Sequence, residues 1–80
     1  MPSSDEVRQG LASILAEVAD VNPDDVSDDK SFVDDLDVDS LSMVEVAMEA
    51  ETQFGVKIPD DKLSDLKTVK DAVDYIVENG

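Results

Sequence analysis

The chain has 80 residues, 41% of them hydrophobic, and a formal net charge of −15 from 21 acidic and 6 basic side chains. So much negative charge excludes ordinary electrostatic binding to nucleic acid or to an anionic membrane, because the phosphates would be repelled. The chain has no histidine and no cysteine, which excludes a Ser-His hydrolase, a His-ligated metal centre and a disulfide framework. We therefore expect one domain, residues 1–80, that is not an enzyme and meets partners with basic patches.

The first residues and the apolar runs bear on where the protein works. Residues 1–6 have no positively charged region followed by an apolar one, so they do not indicate a secretion signal. No apolar run approaches the roughly 20 residues needed to cross a bilayer. We expect a cytoplasmic monomer that does not enter membranes.

The first half of the chain predicts one helix and a long loop. Ser3 and Glu6 fit a capping box, and apolar residues then recur at helical spacing, so we expect a helix from about Ser4 to Val18. Asn22-Pro23 breaks that pattern, and residues 20–39 are rich in Asp. A loop this long in a small domain usually carries function. Apolar residues within it are expected to pin it over the core: Val21, Val26, Phe32, Val33 and Leu36.

The second half predicts three helices. One should run from Asp39 or Ser40 to about Phe54, with Gly55 just beyond its end. Residues 60–66 hold at most a short helix. A last helix follows Thr68, which forms a second capping box with Asp71. No segment alternates for long enough to predict a strand, so the expected fold is all-α: a four-helix bundle with a short third helix.

The helix after residue 39 carries two apolar stripes on opposite sides. One stripe is expected to face the core: Met43, Val46, Ala47, Ala50 and Phe54. The other consists of Leu41, Val44 and Met48, with Glu45, Glu49 and Glu51 around it. A helix in so small a protein is not easily buried all round, so the second stripe should face water. An apolar strip edged by acids is typical of a docking surface for a basic partner; the alternative is that both stripes are buried.

Two chemical interpretations compete at the start of this helix. An EF-hand calcium loop would use Asp35, Asp37 and Asp39, but position six is Ser40 rather than Gly, and position twelve is Val46 rather than Glu. The other interpretation is that Ser40 is a modification site. Its simplest alternative is a plain N-cap, a role that suits both Asp39 and Ser40.

Four segments resemble the acyl carrier protein family: FVDDL at 32–36, DSLSMVE at 39–45, FGVKIPD at 54–60 and TVKDAVDYI at 68–76. The resemblance covers nearly the whole chain and is most like the actinobacterial carriers of type II fatty acid synthesis. It implies that a carrier protein synthase attaches 4′-phosphopantetheine from coenzyme A to Ser40. The thiol of that arm then holds growing acyl chains as thioesters, so the cofactor supplies the sulfur that the chain lacks. Many bacterial members have an acid two residues after the serine, where this chain has Ser42.

The resemblance also implies roles for other residues. Partner enzymes with basic patches are ketoacyl synthases, reductases, a dehydratase and acyltransferases, and they would dock on Asp39, Leu41, Val44, Glu45, Met48, Glu49 and Glu51. We expect the acyl chain to lie between the helices, lined by Phe32, Ala47, Ala50, Ile58, Leu63, Leu66 and Ala72. A polyketide or other specialised carrier is the nearest alternative, and an acidic divalent-ion-binding module is a remote one.

Overall fold

The computed structural model describes residues 3–79, and within that range the chain folds into four helices without a strand. Helix α1 spans Ser4–Ala19, α2 Ser40–Phe54, α3 Asp60–Leu63 and α4 Val69–Asn79. The α1–α2 loop holds a single 3-10 turn at Pro23–Asp25. The expected all-α fold, with a short third helix and a long first loop, is confirmed. None of these helices is long and apolar enough to cross a membrane.

The helices begin and end where their capping residues stand. The Ser3 hydroxyl accepts a hydrogen bond from the Glu6 backbone N–H at 3.2 Å. At the start of α4, Thr68 Oγ1 accepts from the Asp71 N–H and Asp71 Oδ2 accepts from the Thr68 N–H, both at 3.2 Å. Helix α2 ends at Phe54 and is capped by Gly55, whose φ of +70° is the left-handed conformation that glycine adopts without steric cost.

The core is aliphatic, as the composition predicts. Helix α1 packs against both α2 and α4, and residues of the loops close the remaining sides. Among residues 3–79, Phe32 is the one buried aromatic side chain. The buried hydrophobic residues of the helices are Val7, Leu11, Ile14, Leu15, Val46, Ala47, Ala50, Val69, Ala72, Val73 and Ile76. Helix α2 thus turns one of its two apolar stripes inward, although Met43 and Phe54 at its edges are only half-buried.

The long loop is bound to the segment that precedes α4. The Phe32 N–H donates to the Lys67 carbonyl at 3.0 Å, and the Val69 N–H donates to the Lys30 carbonyl at 2.9 Å. The Arg8 guanidinium adds an ion pair with Asp28, with 2.8 Å between Nε and Oδ1. These bonds fix the loop on the side of the bundle where α2 begins.

The set of buried apolar residues in the loop differs from our expectation. Val21, Val26, Phe32 and Leu36 are buried as predicted, but Val33 is 60% exposed. Val38, which the sequence did not single out, is 1% exposed and takes the inward position instead. Its N–H donates to the Phe32 carbonyl at 2.8 Å, so the chain turns back over Phe32 before α2 starts.

Candidate functional site

Ser40 is the first residue of α2, and the capping bond does not use its hydroxyl. Asp39 is the N-cap: its Oδ1 accepts a hydrogen bond from the Ser42 backbone N–H at 2.8 Å. That bond stabilises the carboxylate and lowers the pKa of Asp39 below its ordinary value. Of the two candidate caps, the structure selects Asp39. Ser40 is exposed beside it, at the positive end of a 15-residue helix dipole.

Ser40 lies on the edge of an open groove of about 670 Å³, a volume within the usual range for small-molecule sites. Three segments form its walls: the loop at residues 31–34, the first turns of α2, and the stretch 60–67 that includes α3. Val33 and Val44 both line the groove, from the loop and from α2. A group attached to the Ser40 oxygen would therefore have this groove next to it.

The loop wall of the groove is fixed by a local hydrogen-bond pair. Asp35 Oδ2 accepts from the Ser31 N–H at 2.8 Å and from the Ser31 hydroxyl at 3.3 Å. The bond from the Ser31 N–H is the main cause of the lowered pKa of Asp35. Asp35 therefore holds the loop wall of the groove. Among residues 3–79, no cluster of acids has a geometry that could hold a metal ion.

The outward stripe of α2 is an exposed apolar patch. Leu41 is 70% exposed, Met48 60% and Val44 41%, and Val33, which is 60% exposed, lines the same groove as Val44. These four are the large exposed hydrophobics among the described residues. We call them the apolar patch. Three acids predicted to accompany it are themselves exposed: Asp39, Glu45 and Glu49. The alternative in which helix α2 buries both stripes is wrong.

Glu51 differs from the other acids of α2. It is half-buried, and its Oε2 accepts a hydrogen bond from the Ile58 backbone N–H at 2.7 Å. Ile58 is itself buried, so without this carboxylate its N–H would have no partner. Glu51 thus ties the end of α2 to the segment that leads into α3.

All seven residues predicted to line an acyl pocket border one small cavity of only about 20 Å³. That is room for about one water molecule. Four residues line both the cavity and the groove beside Ser40: Phe32, Met43, Leu63 and Leu66. They form the wall between the two spaces, and Met43 and Leu63 in it are only half-buried.

Several residues of the groove were not predicted from the sequence. Val33 was expected in the core, and Met43 was assigned only to the inward stripe of α2. Asp60, Ser64 and Lys67 were not assigned to any site. No periodic signal could have found these three, because they come from a four-residue helix and the irregular turn after it.

Comparison with known proteins decides the family. A family model for the phosphopantetheine attachment site matches residues 9–76. The acyl carrier protein of Acidothermus cellulolyticus is 62% identical over 74 residues, which are 92% of this chain and 88% of that protein. The chain belongs to the acyl carrier proteins. It accordingly carries a covalent 4′-phosphopantetheine group and is not an enzyme.

Other acyl carrier proteins are also similar to this chain. The acyl carrier protein of Thermobifida fusca is 58% identical, over 92% of this chain and 94% of its own. A protein of Mycolicibacterium aurum, named a meromycolate extension acyl carrier protein, is 55% identical over 92% of this chain and 76% of its own. The solved acyl carrier protein of Enterococcus faecalis matches the fold with a TM-score of 0.81 at 39% identity, covering 99% of this carrier and 100% of that chain.

Proposed function

We propose that Ser40 is the attachment site of the 4′-phosphopantetheine arm and that the protein carries growing acyl chains in fatty acid synthesis. One observation supports this most strongly. Ser40 is exposed at the first position of α2, while Asp39 takes the capping role that would otherwise occupy a hydroxyl there. The helix N-terminus also favours the negative charge of a phosphodiester at this oxygen.

The attachment is a group transfer from coenzyme A. The Ser40 oxygen loses its proton and bonds to the phosphorus on the pantetheine side of the pyrophosphate, and 3′,5′-adenosine bisphosphate leaves. The bound group supplies the thiol that forms thioesters. This chain's own contribution is to present the attachment point on a rigid helix end and to place a groove beside it.

The test uses two serines of the same helix turn. Incubation with coenzyme A and a carrier protein synthase should add the mass of one phosphopantetheine to the wild type and to Ser42→Ala. Ser40→Ala should gain none. Far-ultraviolet circular dichroism would confirm that both variants keep their helices. Loading of Ser40→Ala would place the attachment elsewhere.

We propose that the apolar patch and its acids are the docking surface for partner enzymes. The patch adjoins Ser40, since Leu41 follows it in the helix and Val44 shares its groove. Asp39, Glu45 and Glu49 would meet cationic side chains on synthases, reductases, the dehydratase and acyltransferases, and such pairs mainly speed association. Glu49→Lys should therefore weaken loading by raising KM, and the loss should shrink at high salt. An unchanged KM for Glu49→Lys would contradict this.

The internal cavity is, in this proposal, the closed form of the acyl pocket. Its 20 Å³ is too small for an acyl chain, so loading would move the wall formed by Phe32, Met43, Leu63 and Leu66. NMR chemical shifts of these residues should differ between the apo form and a form loaded with a long acyl chain. Identical shifts in the two forms would mean that the chain stays outside.

Our proposal for the pathway is based on the names of the relatives. Two share the plain name acyl carrier protein, whereas others at 51–55% identity are named for meromycolate extension, which makes carriage of meromycolate chains the second candidate. A polyketide pathway remains the alternative expected from sequence. Steady-state rates of the loaded protein with ketoacyl synthases for ordinary, very long and polyketide chains would separate the three. We further propose that the protein works in the cytoplasm, as a monomer, with residues 1–80 forming one carrier domain.

A further inference from the structure

Lys67 is a cation of the Ser40 groove that has no ion-pair partner among residues 3–79. The ion pairs among residues 3–79 join Arg8 to Asp5 and Asp28, and Lys70 to Asp74. Lys67 is exposed and belongs to none of them. Lys30, Lys57 and Lys62 are not in these ion pairs either, so what distinguishes Lys67 is its place in the groove.

The groove has one basic side chain among its described lining residues, in addition to the positive end of α2. Among its described lining residues, Asp34 and Asp60 are acidic and Lys67 alone is basic. The other lining side chains are apolar or hydroxylic, and Ser40 is one of the hydroxylic ones. An anion tethered to Ser40 would meet repulsion from the two carboxylates, and Lys67 is the side chain of the groove that can offset it.

The backbone of Lys67 is held firmly. Its N–H donates to the Asp65 carbonyl at 3.1 Å and to Asp71 Oδ2 at 3.3 Å, and its carbonyl accepts from the N–H of Phe32, a core residue. The side chain therefore starts from a fixed point at the junction of the loop wall and α4. A cation so placed loses little backbone freedom when it binds a ligand in the groove.

We infer that Lys67 is a positioning residue that holds the phosphopantetheine arm in the groove when no partner is docked. This rests on the proposed attachment at Ser40. The arm has a phosphodiester, a geminal dimethyl group and two amides, so it combines an anion with apolar and hydrogen-bonding parts. Lys67 would attract the phosphodiester, while Met43 and Leu63 offer an apolar wall to the dimethyl group. The thiol end would then rest beside the wall of the acyl cavity.

The test uses NMR on the fully loaded protein, after intact mass has verified loading. In the wild type we expect nuclear Overhauser cross-peaks between the dimethyl protons of the arm and the side chains of Met43 and Leu63. Lys67→Gln should lower their intensity by about 1.5- to fivefold, the range expected for one exposed ion pair. Lys67→Arg should restore it. Lys62→Gln is the matched control, because Lys62 is an exposed lysine of α3 that does not line the groove.

The side-chain NMR signals of the lysines give a second readout. Loading should shift the signal of Lys67 and leave that of Lys62 in place. Cross-peaks that are absent from the loaded wild type, or unchanged in Lys67→Gln, would overturn the role of Lys67 while the proposed function stands. Absence of the added mass would overturn the attachment at Ser40 and this inference with it.

Discussion

Asp39 accepts the Ser42 backbone N–H in a 2.8 Å hydrogen bond, and this single contact decides what Ser40 can do. The sequence Asp-Ser offers two residues that could cap a helix, and a capping hydroxyl would be hydrogen-bonded to the backbone it serves. Because the carboxylate takes that role, the helix starts with a serine whose oxygen remains for chemistry.

Replacing the cap should lower stability in a pH-dependent way. Asp39→Ala should reduce the Tm at pH 7 by a few degrees, as loss of a cap does in a domain of this size. The pKa of Asp39 is lowered in the folded state, so its stabilisation is complete above the ordinary Asp pKa of about 3.9 and is lost as pH falls through the folded-state value. The Tm difference from wild type should therefore shrink below about pH 3.9.

The control for this prediction is Asp65→Ala, which removes an exposed charge beyond α3. It should change the Tm little, or raise it slightly by reducing self-repulsion. A Tm difference between wild type and Asp39→Ala that stays constant from pH 7 down to pH 2 would contradict the capping role of the carboxylate.

Substitutions of Glu51 and Glu49 should affect stability differently, because Glu51 has a structural role and Glu49 a proposed docking role. Glu51→Ala leaves the buried Ile58 N–H without a partner, which should cost about 1–3 kcal/mol of the free energy of unfolding. Glu51→Gln keeps an acceptor oxygen and should lose less. Glu49→Ala should scarcely change stability, because Glu49 is exposed. Urea unfolding measures all three; equal stability of Glu51→Ala and Glu49→Ala would contradict the structural role of Glu51.

Gly10 should tolerate a side chain poorly, because the Phe54 ring packs against it. A Cβ at this position would collide with Cζ of Phe54 and lie 2.7 Å from Nε2 of Gln53. Gly10→Ala should therefore lower the free energy of unfolding by about 1–3 kcal/mol, despite the better helix propensity of alanine. Ser13→Ala, at an exposed position of the same helix, should raise it slightly. A more stable Gly10→Ala would show that the side chains of Phe54 and Gln53 can move aside at no cost.

Salt should stabilise the fold. With a net charge of −15, the acids repel one another more in the folded state than in the extended chain. Raising NaCl from 10 mM to 300 mM shortens the Debye length from about 30 Å to about 6 Å, so the Tm should rise. Millimolar Mg²⁺ should act in the same direction. A Tm indifferent to both would mean that self-repulsion costs the folded state little.

The helices and their ends could be predicted because their signals are local. The two capping boxes, the glycine after Phe54 and the apolar periodicity of α1 and α4 all depend on residues within a few positions of one another. The exposure of Leu41, Val44 and Met48 followed from the two-sided character of α2. The role of Ser40 could not be predicted from such signals. Residue chemistry alone favoured a helix cap, and only the family resemblance indicated an attachment site.

The loop and the groove could not be predicted in the same way. Val33 and Val38 are the same residue type in one irregular segment, and which of them faces inward depends on how the chain turns over Phe32. Lys67 is held beside the loop wall of the groove because its carbonyl accepts a hydrogen bond from the N–H of Phe32, a residue far away in sequence. Glu51 matches the acids around it in type and spacing. Its carboxylate nevertheless accepts a hydrogen bond from the Ile58 N–H, so its role is structural.

The most direct test of the account is to locate the arm on the wild-type protein. After loading with coenzyme A and a carrier protein synthase, proteolysis and fragmentation mass spectrometry assign the added phosphopantetheine to one residue. We expect the arm on Ser40, with Ser42 unmodified in the same peptide. An arm on Ser42, or on any other residue, would contradict it.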